Sequence, residues 1–208
     1  MPLIDEILAH RIVPVVIVND AERAVGLGEA LQAGSLPVAE VTLRTPAALE
    51  AIAVMAQNRD LLVGAGTVLT PAQVDLAVAA GARFLVSPGF SAATVARAVE
   101  RGVPIVPGAV TPSEVMTAMA AGLELLKFFP ASNYGGTGTL KAFSSVFANV
   151  RFIPTGGVSA SNLGDYLSMP NVPAVGGSWM VPVDLVDAGD FASIERLSAE
   201  AVAVAAAV

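Results

Sequence analysis

The chain contains no cysteine. That excludes disulfides, thiol nucleophiles, iron–sulfur clusters and thiolate zinc sites. A single histidine, His10, excludes a multi-histidine metal cluster. It lies beside Arg11 in a polar stretch and reads as a surface or capping histidine. Charge is scarce: Asp, Glu, Lys and Arg make up 14% of the residues, against about 25% in an average protein. The balance is acidic, with a formal net charge of −7, so no long basic face is available to phosphate backbone and no nucleic-acid partner is expected. An anionic ligand then needs a local site that overrides the global field. No run reaches the roughly 18 apolar residues of a membrane span. Asp5 and Glu6 stand where the basic start of a signal peptide would lie. A soluble, cytoplasmic protein without a membrane partner is the expectation.

What is abundant is apolar surface and turn formers. Hydrophobic residues are 54% of the 208, with 19 Gly and 14 Pro. Disorder is therefore excluded, and many turns are expected rather than a helical bundle. Short apolar runs recur along the chain at 12–18, 38–43, 61–65, 84–87, 103–106, 125–129, 151–154 and 172–176. Each is too short for a helix, and runs apolar on both faces suit buried parallel strands. Helical patterns lie between them. One begins at Asn19 or Asp20 and stops at Gly34. Thr45-Pro46, Thr70-Pro71 and Thr111-Pro112 read as helix starts with Pro at the first position. Gln73 and Glu114, three residues after their threonines, complete capping boxes. Gly81, Gly102 and Gly122 fall where helices should end. The apolar tail 201–208 reads as the end of a docked helix. Eight strand–helix units in one domain, 1–208, predict an α/β fold, a (β/α)₈ TIM barrel with an extra N-terminal helix over about 2–9 plugging one end. A doubly wound open sheet is the rival.

In such a barrel, chemistry gathers where strands exit. Alternation along 38–44 puts Glu40, Thr42 and Arg44 on one face and Ala39, Val41 and Leu43 on the other. The apolar set belongs against helices, so the polar set points inward. Buried Glu and Arg are expensive unless paired or functional. A second strand exits through Gly64-Ala65-Gly66-Thr67, where glycines permit close backbone approach and Thr67 offers a hydroxyl. Within Leu125-Leu126-Lys127-Phe128-Phe129-Pro130, Lys127 interrupts an apolar strand and shares a face with Leu125 and Phe129. Desolvation would favour its neutral amine, and Arg44 would act in the same direction while Glu40 opposed it. A neutral amine attacks ketones to form a Schiff base. A snorkelling structural lysine is the bland alternative. Thr155-Gly156-Gly157 and Gly176-Gly177-Ser178 end adjacent strands, where exposed backbone N–H groups and a following helix N-terminus would cradle a phosphate. Simple chain reversal is the alternative there. Gly135-Gly136 reads as a flap or a plain loop.

These motifs occur in order: Glu40-Val41-Thr42-Leu43-Arg44-Thr45, Gly64-Ala65-Gly66-Thr67-Val68, Ser87-Pro88-Gly89, Val106-Pro107-Gly108, Lys127-Phe128-Phe129-Pro130-Ala131, Pro154-Thr155-Gly156-Gly157 and Gly176-Gly177-Ser178-Trp179. From about Ile12 to the C-terminus the chain resembles the 2-keto-3-deoxy-6-phosphogluconate (KDPG) and 4-hydroxy-2-oxoglutarate (KHG) aldolase family. The resemblance implies a class I aldolase, a homotrimer of (β/α)₈ barrels, with no metal and no cofactor. It implies cleavage of the phosphorylated 2-oxo acid to pyruvate and glyceraldehyde 3-phosphate in the Entner–Doudoroff pathway. It places the Schiff-base lysine on Lys127 and the proton-shuttling glutamate on Glu40. Substrate contacts fall on Arg44, Thr67, Pro88 and Phe129, and phosphate contacts on Gly156, Gly157, Gly177 and Ser178. The segment 132–139 looks longer and more polar than the family's usual loop. Lack of Cys and of clustered His independently disfavours a zinc-dependent aldolase route. The alternatives are an aldolase for another 4-hydroxy-2-oxo acid, such as a phosphogalactonate, a non-catalytic barrel binding phosphate ligands with Lys127 as an anion contact, or a purely structural interaction protein.

Overall fold

The computed structural model describes residues 2–208, so the first position of the expected 1–208 domain lies outside the described residues. In chain order the elements are α1 (Pro2–Ala9), β1 (Ile12–Val16), α2 (Ala24–Ala33), β2 (Val38–Thr42), α3 (Ala48–Met55), β3 (Leu62–Gly66), α4 (Pro71–Ala79), β4 (Phe84–Val86), α5 (Ala92–Glu100), β5 (Ile105–Val106), α6 (Pro112–Ala120), β6 (Leu125–Phe128), α7 (Gly136–Val146), β7 (Arg151–Pro154), α8 (Leu163–Leu167), β8 (Val175–Gly177), α9 (Val183–Ala188) and α10 (Phe191–Ala206). The expected strands are present, mostly trimmed. The fifth is only two residues long, because Pro104 has no N–H for a ladder and its carbonyl alone is used, accepting from the Leu85 amide at 2.9 Å.

All strand pairs are parallel. Six strands form one sheet in the order β5-β4-β3-β2-β1-β8, and β6 pairs with β7. Single parallel bridges, Gly108↔Lys127 and Thr155↔Gly176, join the two pieces at both edges, so the sheet curls. Its concave face carries Val13, Glu40, Phe84, Val106, Leu125, Lys127 and Ile153, which line one cavity. Its convex face packs on the helices: Ala39, Val41, Leu126 and Phe128 are fully buried. Phe128 meets Phe143 of α7 and Phe152 of β7 edge to face, with centroids 6.2 and 6.3 Å apart. Two-sided burial is why these strands read as unbroken apolar runs.

The helix signals at Thr70 and Thr111 are realised as full capping boxes, each with Pro in the first turn. Gly81, Gly102 and Gly122 follow their helices with φ of +96°, +66° and +79°, the left-handed region that glycine enters without a Cβ clash. Thr45 does not cap a helix. Its hydroxyl bonds instead to the Val18 carbonyl, the 43–47 segment is a turn, and α3 starts at Ala48 without a side-chain cap. The helix expected from Asp20 begins as a 3₁₀ turn, Ala21–Arg23, capped by Asp20, and continues as α2 to Gly34. The tail docks as expected: Ala201 and Ala205 of α10 are buried, and Arg11 donates to the Ala205 carbonyl at 2.6 Å. The Gly135-Gly136 pair is no long loop; both residues are left-handed and lead straight into α7.

His10 sits half-buried in the turn after α1. Burial pushes its pKa below the ordinary 6.5, with Glu6 pulling the other way. The folded state therefore binds this proton less readily than the unfolded chain, and stability should fall as pH drops below that value. A His10→Gln variant should lose less melting temperature than the wild type between pH values of about 7 and 5. Calorimetric scans across that range check it; parallel curves would remove His10 from the acid limb.

Candidate active site

Strand alternation delivers Glu40 and Lys127 to the same concave face from β2 and β6. Lys127 is 4% exposed and Glu40 3%, and Lys127 Nζ donates to Glu40 Oε1 at 3.0 Å. The ammonium also lies 5.2 Å from the centroid of the Phe129 ring. At this separation the attraction is roughly 5 kcal/mol at an effective dielectric of about 20. Desolvating the two ions costs several kcal/mol each. The two sides roughly cancel, so stability alone does not account for an ion pair where a leucine pair would pack. That balance is the first physical sign of a chemical role.

Below the pair is a cavity of about 20 Å³, lined by Ile4 and Ile7 of α1 together with Val13, Phe84 and Leu125. It holds about one water, far too little for a three-carbon acid. A larger groove of about 370 Å³ lies at the strand entries, among Val99, Gly102, Pro104, Ile105 and Leu123. Its walls are apolar and its two charges, Glu124 and Arg151, are of opposite sign, so it gathers no reactive set. Neither space gathers a substrate-sized reactive set, and in a barrel of this kind chemistry collects at the strand exits.

The residues singled out in the sequence line those exits. Arg44 is not buried as expected. β2 ends at Thr42, whose hydroxyl donates to the Val16 carbonyl at 2.9 Å, and the chain turns, leaving the guanidinium exposed at the mouth. There Arg44 Nε donates to Thr67 Oγ1 at 3.2 Å. Among the described residues Arg44 has no carboxylate partner, which leaves its charge available to an anion. Thr67 has φ of +58°. A β-branched residue in that region is strained by about 1–3 kcal/mol, and such strain collects at functional sites. Pro88 follows β4, and its carbonyl lies against Gly108, the bridge partner of Lys127. A Cβ on Gly156 would stand 3.4 Å from the Phe129 ring, which brings the β7 exit to the lysine's neighbour. Gly156 and Gly157 have φ of +89° and +80°.

Gly177 lies under the ring of Trp179, and Ser178 is exposed beside it. The expected support from a directly following helix N-terminus is absent. α8 and α9 start at Leu163 and Val183, several residues beyond the glycine turns, and span only five and six residues. Any phosphate cradle there is made of turn amides and side chains.

Sequence reasoning treated Thr155 only as part of a glycine turn. It is 5% exposed and lines the same cavity as Glu40 and Lys127. Its signal was available in alternation, two residues beyond Ile153, which registers with Lys127.

Comparison with known proteins gives a consistent picture. The family model described as "Aldolase: KDPG and KHG aldolase" matches residues 4–197. The "KHG/KDPG aldolase" of Escherichia coli (strain K12) is 46% identical over 192 residues, 92% of this chain and 90% of that protein. A KDPG aldolase from Legionella pneumophila, solved with pyruvate captured as a covalent carbinolamine intermediate, superposes with a TM-score of 0.90. It is 42% identical, covering 93% of this chain and 95% of the other. The enzyme of Zymomonas mobilis ZM4, solved with 3-phosphoglycerate, gives a TM-score of 0.91 at 44% identity, covering 96% and 95%.

Proposed function

Since the chain belongs to the KDPG and KHG aldolase family, we infer that it is a carbon–carbon lyase: a Schiff-base aldolase that cleaves 2-keto-3-deoxy-6-phosphogluconate to pyruvate and glyceraldehyde 3-phosphate, and 4-hydroxy-2-oxoglutarate to pyruvate and glyoxylate. The observation that carries this reading is the buried Lys127–Glu40 pair at 3.0 Å, with Arg44, which has no carboxylate partner among the described residues, bonded to Thr67 at the strand exits.

In the proposed mechanism Arg44 and Thr67 hold the substrate carboxylate, with Pro88 and Phe129 bounding the oxo-acid end. Lys127 gives its ammonium proton to Glu40, and the amine so formed attacks the C2 ketone and gives a carbinolamine. Glu40 moves protons so that the carbinolamine oxygen departs as water, leaving a protonated imine. The C4 hydroxyl then gives its proton to Glu40 or to a water beside it. The C3–C4 bond breaks, its electrons pass into the imine, and the aldehyde leaves. The remaining enamine is protonated at C3 and hydrolysed, which frees pyruvate and restores the amine. Gly156, Gly157, Gly177 and Ser178 receive the substrate's phosphate.

The architecture that goes with this reading is one domain, a closed (β/α)₈ barrel with α1 across its floor. The two edge bridges and the contacts of Ile4 and Ile7 below Lys127 support it. A homotrimer acting in the cytoplasm completes the proposal. A coupled assay tests the function. Pyruvate should be released from both substrates, with a lower KM for the phosphorylated one. Failure to release pyruvate from either would reject the reading.

A further inference from the structure

We infer that Gly66 is a positioning residue: its missing side chain is the space in which the Glu40 carboxylate reaches Lys127. This rests on the reading of Glu40 as the proton shuttle. Gly66 ends β3 and pairs with Thr42 in the β2 register. It is not among the residues with positive φ, so its backbone suits any amino acid and glycine is not required for conformation. What requires it is proximity. A Cβ at position 66 would stand 2.6 Å from Glu40 Cγ, 2.9 Å from Glu40 Cδ and closer still to Oε1, the oxygen that accepts from Lys127.

The three nearest atoms to that Cβ all belong to Glu40. An alanine at 66 therefore meets the Glu40 side chain before any other group. Gly64, two residues earlier on the same strand, is different: a Cβ there would enter the ring of Phe84, a fully buried core residue. Gly64 thus serves packing, whereas Gly66 serves the carboxylate. The conflict at 66 is relieved most directly by swinging Glu40 away from Lys127, which misplaces a proton-transfer group by a distance on the order of 1 Å.

The test is a double-mutant cycle over wild type, Gly66→Ala, Glu40→Gln and both together, read as kcat for substrate cleavage and as melting temperature. A misplacement of about that size should lower kcat roughly 10²-fold in Gly66→Ala, with melting temperature little changed. In the Glu40→Gln background the same alanine should change kcat by less than about threefold, because the group it displaces is already disabled. A purely structural glycine would lower kcat equally in both backgrounds, and that result overturns the inference. So does a Gly66→Ala enzyme with wild-type kcat. If Glu40→Gln alone keeps wild-type kcat, the shuttle reading fails first and takes the inference with it. Should Gly66→Ala fold poorly, it is repeated in a Glu40→Ala background, which removes Cγ, Cδ and Oε1, and compared with Glu40→Ala alone. Recovered folding then supports the inference, and no recovery places the conflict elsewhere and rejects it.

Discussion

Lys127→Ala should reduce cleavage to background, a loss of at least about 10⁴-fold or roughly 5 kcal/mol of transition-state stabilisation. The mechanism has no other electron sink: without an imine, the C3–C4 bond would have to leave its electrons on a bare carbonyl. The variant also strands the Glu40 carboxylate, 3% exposed, without its partner. Removing one member of a buried pair typically costs about 3–5 kcal/mol, so some melting temperature should be lost as well. The two effects separate in Lys127→Met combined with Glu40→Gln, where no charge is stranded. That double variant should recover melting temperature and remain inactive. Activity that returned with stability would show that Lys127 matters only for folding.

Glu40→Gln should bind pyruvate and still turn over, but with kcat lower by roughly 10²–10⁴-fold, the range of a positioned acid–base group. Glutamine has the same shape and keeps an oxygen within reach of Lys127, so the cavity and its packing are retained. What is lost is the capacity to take up and release a proton. The pH profile of kcat should change shape as well as height, because one of the two groups that define it is gone. Unchanged kcat would take Glu40 out of the mechanism and leave it as a structural counter-ion.

Much of this was legible in the sequence for simple physical reasons. Period-two alternation placed Glu40 and Lys127 on a common face, and the register confirms that both reach the same cavity. Thr70 and Thr111 were readable as caps because each carries its Gln or Glu partner three residues on. Thr45 had the same Thr-Pro signature but no such partner, and a nearby carbonyl claimed its hydroxyl. Arg44 was misplaced because alternation holds only while the strand continues, and β2 stops two residues before it. The strained backbone of Thr67 was not legible, and Gly64 and Gly66 told of a close approach but not that at Gly66 the Glu40 carboxylate makes it. Both depend on how β3 sits against β2, a tertiary relation that local pattern does not encode.

The central claim is covalent chemistry at one amine, and reduction traps it. Enzyme incubated with pyruvate and borohydride, then digested and weighed, should carry one pyruvate less one water plus two hydrogens, on the peptide containing Lys127. An unmodified protein, or an adduct mapped to Lys141, would contradict it.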